Sequence, residues 1–434
     1  MEINVTDKAR NIIFFAAAVM MYYFLTQEIN LGIFITYRHA FALVLILIAI
    51  IDFLRKPNIA RGCVAAKDAL VFSLPMLITF SVSLFIWFAK QVDTTVISRG
   101  LSSMFFYTNM FSFTLAAAAF LYFFGERGIW YNLIAILTAN LLMIATIISK
   151  NGLAPYFSEF ITLIKTFAGE TGDIIVQAEV HELAFCIGAY LIYMLLKPQK
   201  NKTFFVILAL SAFCFLSAFK RIGIIAIAVT LVLGWLLKFT ARFSKKAASG
   251  VITLITLLVI FSLLAYIYAI KMNAFEFLEQ LGINTSGRAG IYAAVDKYYE
   301  FSPAFLGNGI GALTYHLNTD LTAGVSAVHN DFLQYYIDLG FWGYILWLVS
   351  ITLVRTLYSG RDGKTENAIT AFSLILYLII VSLTDNTMNY PLLTTTTALL
   401  MIGGGFNERV RNTEYKIFGH ISAVNKKAKG EIFS

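Results

Sequence analysis

Apolar residues in this chain come in continuous runs of about 16 to 24, separated by polar connectors, rather than in alternation with polar ones. A run of that length is what an α-helix needs to cross a hydrocarbon core, and the lack of a period of two excludes an outer-membrane barrel. Twelve runs stand out, near 11–26, 33–54, 69–89, 104–124, 132–149, 183–196, 204–219, 222–238, 250–270, 332–354, 367–384 and 390–405. The pattern predicts an all-α polytopic membrane protein of about twelve transmembrane helices. Most connectors are short enough to join antiparallel neighbours. Two are longer. Residues 150–182 are mildly amphipathic and are expected to lie partly in the interface, and residues 271–331 are the one segment large enough for a small folded element. The expected organisation is therefore helices one to nine over 1–270, a large loop over 271–331, helices ten to twelve over 332–406, and a polar, basic, mobile tail over 407–434.

Composition agrees with this frame and charge orients it. Hydrophobic residues make up 59% of the chain and charged ones 13%, against about 25% charged in soluble domains. The net charge of +8 would suit nucleic acid, but its distribution points elsewhere. With both termini on one side, that side collects 23 of the 33 Lys and Arg, the opposite side nine, and Arg38 falls within a span. The positive-inside rule places both termini in the cytoplasm and 271–331 outside. Basicity here reports topology, and no nucleic-acid partner is implied. Residues 11–26 lack a small-residue cleavage site and read as a first span rather than a signal peptide. Cys63, Cys186 and Cys214 have neither disulfide nor metal-ligand spacing, so no metal site is expected. No repeat of the kind that marks inverted-repeat transporters is visible.

Chemistry concentrates in the large loop and its flanks. Arg221, after Lys220, sits in a turn between two apolar runs on the side that the charge rule disfavours for cations. An arginine near a bilayer normally has an anionic partner; snorkelling to lipid headgroups is the plain alternative. Arg288 follows Gly287 at the start of a helical pattern over 288–301, with Ile291, Tyr292, Val295, Tyr298 and Tyr299 on one face and Thr285 or Ser286 as N-cap. Free backbone N–H groups at such a start favour anions, and guanidinium groups bind phosphate bidentately. A solvated loop arginine is the plain alternative. His329 precedes Asn330 and Asp331 at the start of the tenth run, where the helix N-terminus disfavours imidazolium and suits a general base. A capping or interface histidine is the plain alternative, and His316, in the same loop, is the competing base. Arg38 with His39, and His181 with Glu182, read as supporting residues. Asp385, with Asn386 at the outer end of the eleventh run, can hold an arginine or a sugar, or simply end its helix. The G-N-G-I-G stretch, 307–311, follows no strand, so it reads as a loop turn and not a nucleotide cradle.

Four stretches taken together, G-R-x-x-I-Y (287–292), L-G-N-G-I-G (306–311), H-N-D-F-L (329–333) and L-G-F-W-G (339–343), resemble the C-terminal signature of the O-antigen ligase/Wzy polymerase superfamily. Arg221, opening an inward-going span, is similar to that family's other arginine. The likeness covers roughly 200–400; Lys220 and Tyr292 depart from the usual pattern. The resemblance implies a membrane glycosyltransferase of the bacterial plasma (inner) membrane, on a GT-C-like fold, working at the outer face without metal, nucleotide or other cofactor. It implies that Arg221 and Arg288 hold the diphosphate of an undecaprenyl-diphosphate-linked glycan while His329 activates a sugar hydroxyl for inverting displacement. Lys220, Asn330, Asp331, His316 and Asp385 are secondary candidates. The expected function is polymerisation of a surface polysaccharide from lipid-linked repeats, with a flippase and a chain-length regulator as possible partners alongside membrane lipids. Transfer of the glycan to lipid A-core or protein, as a ligase, is the alternative, and a flippase or transporter the second.

Overall fold

A computed structural model of the chain describes residues 5–24, 28–30, 34–165, 181–218, 220–282, 285, 287–320, 328–361, 364–383 and 387–417. These residues are helical throughout, apart from connectors and one hairpin in which Glu28–Asn30 pairs antiparallel with Phe34–Thr36, Glu28 opposite Thr36. The first half of the chain forms α1 (Val5–Tyr23), α2 (Tyr37–Arg55), α3 (Ile59–Phe72), α4 (Leu74–Lys90), α5 (Thr94–Phe124), α6 (Gly128–Asn151) and α7 (Leu153–Lys165). Then follow α8 (His181–Leu196), α9 (Lys202–Ser217), α10 (Arg221–Phe243), α11 (Lys245–Lys271), α12 (Ala274–Gln280), α13 (Arg288–Val295) and α14 (Ala312–Asp320). The last are α15 (Asp331–Val349), continued by a π-helical turn (Ser350–Val354) into α16 (Arg355–Ser359), then α17 (Thr365–Ser382), α18 (Pro391–Gly403) and α19 (406–417).

Among the described residues, six helical stretches are long and apolar enough to cross a membrane: Tyr37–Arg55, Phe111–Asn151, Arg221–Phe243, Lys245–Lys271, Asp331–Ser359 and Thr365–Ser382. A seventh arises if α3 and α4 count as one span, although they are bent by 49°. The bend sits at Ser73, whose N–H closes α3 while Pro75 opens α4. Three shorter apolar helices lie among the described residues, at Glu182–Leu196, Lys202–Ser217 and Pro391–Gly403. Exposed Leu, Ile, Val and Phe along α10 and α11 match helices facing lipid, while α8, α17 and α18 are buried almost all round. Small residues allow close approach at the centre. Ala116–Ala119 of α5 are buried, and Thr395 of α18 donates to the Phe113 carbonyl at 2.9 Å.

Several expectations are corrected. The tenth run, read as a straight span over 332–354, is broken at Gly340 (φ 71°, ψ −179°). Phe332 and Tyr335 lie against Trp347, with ring centroids 6.3 and 4.0 Å away, and Tyr336 against Tyr344 at 5.5 Å. In a straight helix Tyr335 and Trp347 would be about 18 Å apart along the axis. The first half of α15 therefore turns back along the second. The helix expected over 288–301 ends at Val295 and tightens into a 3₁₀ turn at Asp296–Tyr298; Gly287, in the left-handed conformation, takes the N-cap position, while Thr285 Oγ1 accepts the Ala289 N–H at 3.4 Å. The tail expected from 407 starts as α19, with Phe406 and Val410 buried. Its Arg409 meets the fully buried Asp68 at 3.1 Å, and Asp68 also pairs with Arg361 at 2.8 Å. That carboxylate joins α3, the end of α16 and α19. Arg38 pairs with Glu182 at 2.9 Å, and Glu182 accepts the Leu392 N–H at 2.5 Å, so these two tie α2, α8 and α18 together. Over 150–182, α7 is amphipathic, with Tyr156 buried and Leu153, Phe157 and Ile161 exposed.

Candidate functional site

The glycine-rich stretch and the broken helix explain each other. A helix interrupted at Gly340 leaves the carbonyls of Ile337 and Asp338 without their usual donors. The loop supplies them: Asn308 N–H donates to Ile337 O at 3.0 Å and Gly309 N–H to Asp338 O at 2.8 Å. In return Phe341 N–H donates to Phe305 O at 2.9 Å. The two backbones touch, so a Cβ on Gly340 would lie 2.2 Å from the Leu306 carbonyl carbon, and one on Gly307 would lie 2.4 Å from Gly340 N. Both glycines also have positive φ, so no other residue fits either place. The loop is anchored on α4 as well, through Ile310 N–H to Ser83 Oγ at 3.0 Å. Asp338 is buried in this junction, with the N–H groups of Gly311 and Leu313 directed at its carboxylate.

The same turn-back sets the position of the H-N-D segment. Starting at Asp331 and running antiparallel to its second half, α15 puts its N-terminus about 13 Å from Gly340 along the axis. Asn330 is fully buried there and makes three hydrogen bonds. Its Oδ1 caps the helix by accepting Leu333 N–H at 3.1 Å, and its Nδ2 donates to the hydroxyls of Tyr266 and Tyr292, each at 3.0 Å. Tyr266 belongs to α11, and Tyr292 lies one helical turn beyond Arg288 on α13. The charge of Arg288 acts on both phenols. Burial pushes the Tyr292 hydroxyl up, opposed by its bonds to Asn330 and Tyr266 and by Arg288. Asp331, also fully buried, accepts Met388 N–H at 2.8 Å, fixing the turn between α17 and α18.

His329 stands between the buried Val328 and Asn330 with its own side chain exposed, and its φ is +51°. A histidine held in left-handed backbone is strained, and strain of this kind gathers at sites where a side chain must be aimed. Arg288 is half-buried at the first position of α13, its Nη1 3.5 Å from the Thr285 carbonyl. The loop is clamped to α11 by Lys271, whose ammonium donates to the carbonyls of Asp296 and Tyr299 at 3.0 and 2.9 Å.

Arg221 opens α10 with an exposed side chain, after the half-buried Lys220. Packing of α10 on α17 is antiparallel: a Cβ on Gly234 would meet Ser373, and Leu237 clusters with Ile369 and Phe372. The Arg221 end of α10 therefore lies at the Leu383 end of α17, which leads into the turn that Asp331 holds. The structure thus joins the H-N-D segment, through the Asn330–Tyr292 bond, to the helix that Arg288 opens, and sets Arg221 at the same end of the bundle. His316 is stacked on Tyr298 at 4.6 Å and meets Tyr315 edge-on at 5.5 Å. Asp385 and Asn386 lie outside the described residues. Reasoning from sequence missed Tyr266, Tyr292 as a partner of Asn330, and the break at Gly340. The spacing Arg288–Tyr292, one helical turn, was the available signal for the second of these.

No curated protein matches the chain. Residues 183–348 match the Wzy_C family, described as O-Antigen ligase. The match opens at the start of α8 and closes near the end of α15, enclosing Arg221, Arg288, His316, the H-N-D segment and Gly340. Residues 183–348 thus carry a Wzy_C O-antigen ligase domain, within a multi-pass chain that has several helices long and apolar enough to cross a membrane.

Proposed function

We propose that this chain polymerises a surface polysaccharide, moving a glycan from undecaprenyl diphosphate to a hydroxyl of a second lipid-linked repeat unit. In this reading the acceptor oxygen attacks the anomeric carbon from the face opposite the diphosphate. Its proton passes to His329, and the bond from that carbon to the diphosphate oxygen breaks with inversion. The leaving diphosphate keeps the electron pair and is held by Arg221 and Arg288, whose charge does not titrate away. A sugar hydroxyl is a weak nucleophile and the lipid diphosphate an adequate leaving group, so help belongs on the acceptor side. One observation carries the reading: Asn330, beside the strained and exposed His329, is bonded to Tyr292 one turn from Arg288. One buried side chain thereby links the segment of the proposed base to the helix that carries the proposed phosphate ligand. The reading also takes the active site as extracytoplasmic, both termini as cytoplasmic, and the bundle as a twelve-span relative of the GT-C folds.

The test is glycan formation from purified lipid-linked repeat units, with donor binding measured separately. His329→Ala is expected to retain donor binding and lose product, while His316→Ala keeps substantial activity. Arg221→Lys and Arg288→Lys are each expected to lose about 100- to 1,000-fold, the range for losing one transition-state donor. A ladder of chain lengths identifies a polymerase. Transfer only to an added lipid A-core acceptor, with no ladder, identifies a ligase and overturns the acceptor proposed here. Full activity in both lysine variants removes the arginines from the diphosphate.

A further inference from the structure

A large cavity lies at the end of the bundle opposite the H-N-D segment, and nothing in the transfer reaction uses it. Its volume is about 720 Å³, and a second cavity of about 410 Å³ adjoins it, sharing Lys238, Lys364, Glu366 and Asn367. Lys197, just past the end of α8, projects into the larger one. Its ammonium donates to Asn367 Oδ1 at 2.7 Å and lies 5.4 Å from the centre of the Tyr193 ring. Lys238 donates to the Leu196 carbonyl at 2.5 Å. Neither ammonium has a carboxylate within ion-pair distance among the described residues. Lys364, on the same wall, is paired with Glu408. Glu126 and Glu366 also face the cavity and temper its charge from further away. Burial pushes the Lys197 ammonium down to about 8, with Lys238 and Lys364 adding to the shift.

We propose that this vestibule binds a phosphate group, supplied by the headgroup of an anionic phospholipid. Two ammonium groups facing a common cavity without counter-ions are held at an electrostatic cost that a bound phosphate removes, and lysine serves phosphate as a compact point charge. Asn367 and the Gly404–Gly405 turn complete the wall. A Cβ on Gly404 would lie 3.2 Å from the Lys197 ammonium nitrogen and one on Gly405 3.5 Å from that of Lys364, so the bare backbone keeps both cations facing the space. The route in favours a lipid over a soluble ion. The adjoining cavity is lined by Arg242 and Lys245, at the junction of α10 and α11, beside the exposed Phe239 and Phe243. A headgroup entering there would leave its acyl chains against those rings.

The experiment uses the full chain in detergent micelles doped with phosphatidylglycerol or phosphatidylcholine, or supplied with inorganic phosphate, and reads the midpoint of thermal unfolding against concentration. Phosphatidylglycerol is expected to act at a mole fraction at least tenfold lower than phosphatidylcholine. Lys197→Gln/Lys238→Gln should erase that preference and Lys197→Arg/Lys238→Arg should keep it. Arg55→Gln/Lys67→Gln removes the same charge from exposed positions and should leave the preference intact. Protection by inorganic phosphate at equal concentration would keep the site but assign it to a soluble phosphate. No preference in the natural protein, or equal loss in both glutamine pairs, overturns the proposal and reduces these lysines to the general positive charge of this face. Lipid preference is read without glycan transfer, so the result stands apart from the fate of the polymerase reading.

Discussion

Replacing His329 by asparagine separates a residue kept for chemistry from one kept for structure. With φ at +51°, a histidine bears most of the left-handed backbone cost of about 1–2 kcal/mol, whereas asparagine visits this region readily. The imidazole is exposed, so little packing is lost, and the cap made by Asn330 is untouched. His329→Asn should therefore raise stability by about 0.5–1 kcal/mol, a shift of about 1–2 °C at this chain length. His329→Gly relieves the same strain but gives back about 0.4–1 kcal/mol through the freer unfolded chain, leaving it near neutral. Both variants should lose about 10²–10⁴-fold in transfer, the worth of one positioned base. Thermal unfolding in detergent and product formation from lipid-linked repeats supply the two readings. A variant that is more stable and still active would show that the histidine is dispensable. A variant that is inactive and markedly less stable would show that the imidazole holds the fold.

Four further outcomes follow from the contacts described. Gly340→Ala should fail to assemble the junction, losing three cross-backbone hydrogen bonds worth about 0.5–1.5 kcal/mol each; a full yield of active, folded protein would contradict the close approach to Leu306. Tyr292→Phe removes the hydroxyl that bonds Asn330 and Tyr266 while conserving the ring, so it should lower kcat/KM for the donor about tenfold, mostly through KM, with stability changed by no more than about 1–3 kcal/mol. A pure stability loss with unchanged KM would make Tyr292 a packing residue only. Asp68→Ala leaves the buried Arg409 and the half-buried Arg361 without their carboxylate and should destabilise by about 3 kcal/mol or more, visible as loss of folded protein on size-exclusion chromatography; normal recovery would refute the structural role of this triad. A cysteine at Asn318 should react with a membrane-impermeant maleimide in intact, wall-permeable cells, and labelling only after lysis would invert the topology.

Much of the bundle was legible because continuous apolar runs are a strong signal that a helix must be buried in lipid or protein. The turn role of 307–311 was legible too, since three glycines in five residues cannot continue a helix. The break at Gly340 was not, because D-L-G-F-W-G stays apolar through it, and hydropathy does not register a reversal made inside one long run. Its signal was conformational, a glycine required at positive φ, and that requirement exists only once the loop at 306–309 is seated against it. The end of α13 was misread for a related reason. Tyr298 and Tyr299 keep the helical spacing, but Lys271 reaches from α11 to the carbonyls of Asp296 and Tyr299 and rewards a tighter turn. Arg221, Arg288 and His329 stood out as scarce polar groups in an apolar chain. Their partners did not, since Tyr266 lies inside a span where a tyrosine is unremarked, and Asp68 finds Arg409 from 341 residues away.

The turned-back half of α15 bears on how the protein is made. Nine residues of helix, about 13 Å, cannot cross a hydrocarbon core of about 30 Å, so 331–339 has no means of inserting as an independent segment. Its seat is built from parts that arrive at different times: Tyr266 and the loop at 306–309 precede it in synthesis, while the Met388 amide that Asp331 accepts is made last. Membrane insertion and catalytic competence are then separate events. The chain acquires its crossings first, and the H-N-D segment docks only after the turn between α17 and α18 has emerged. Truncation between 361 and 387 should consequently yield a protein that is inserted yet inert.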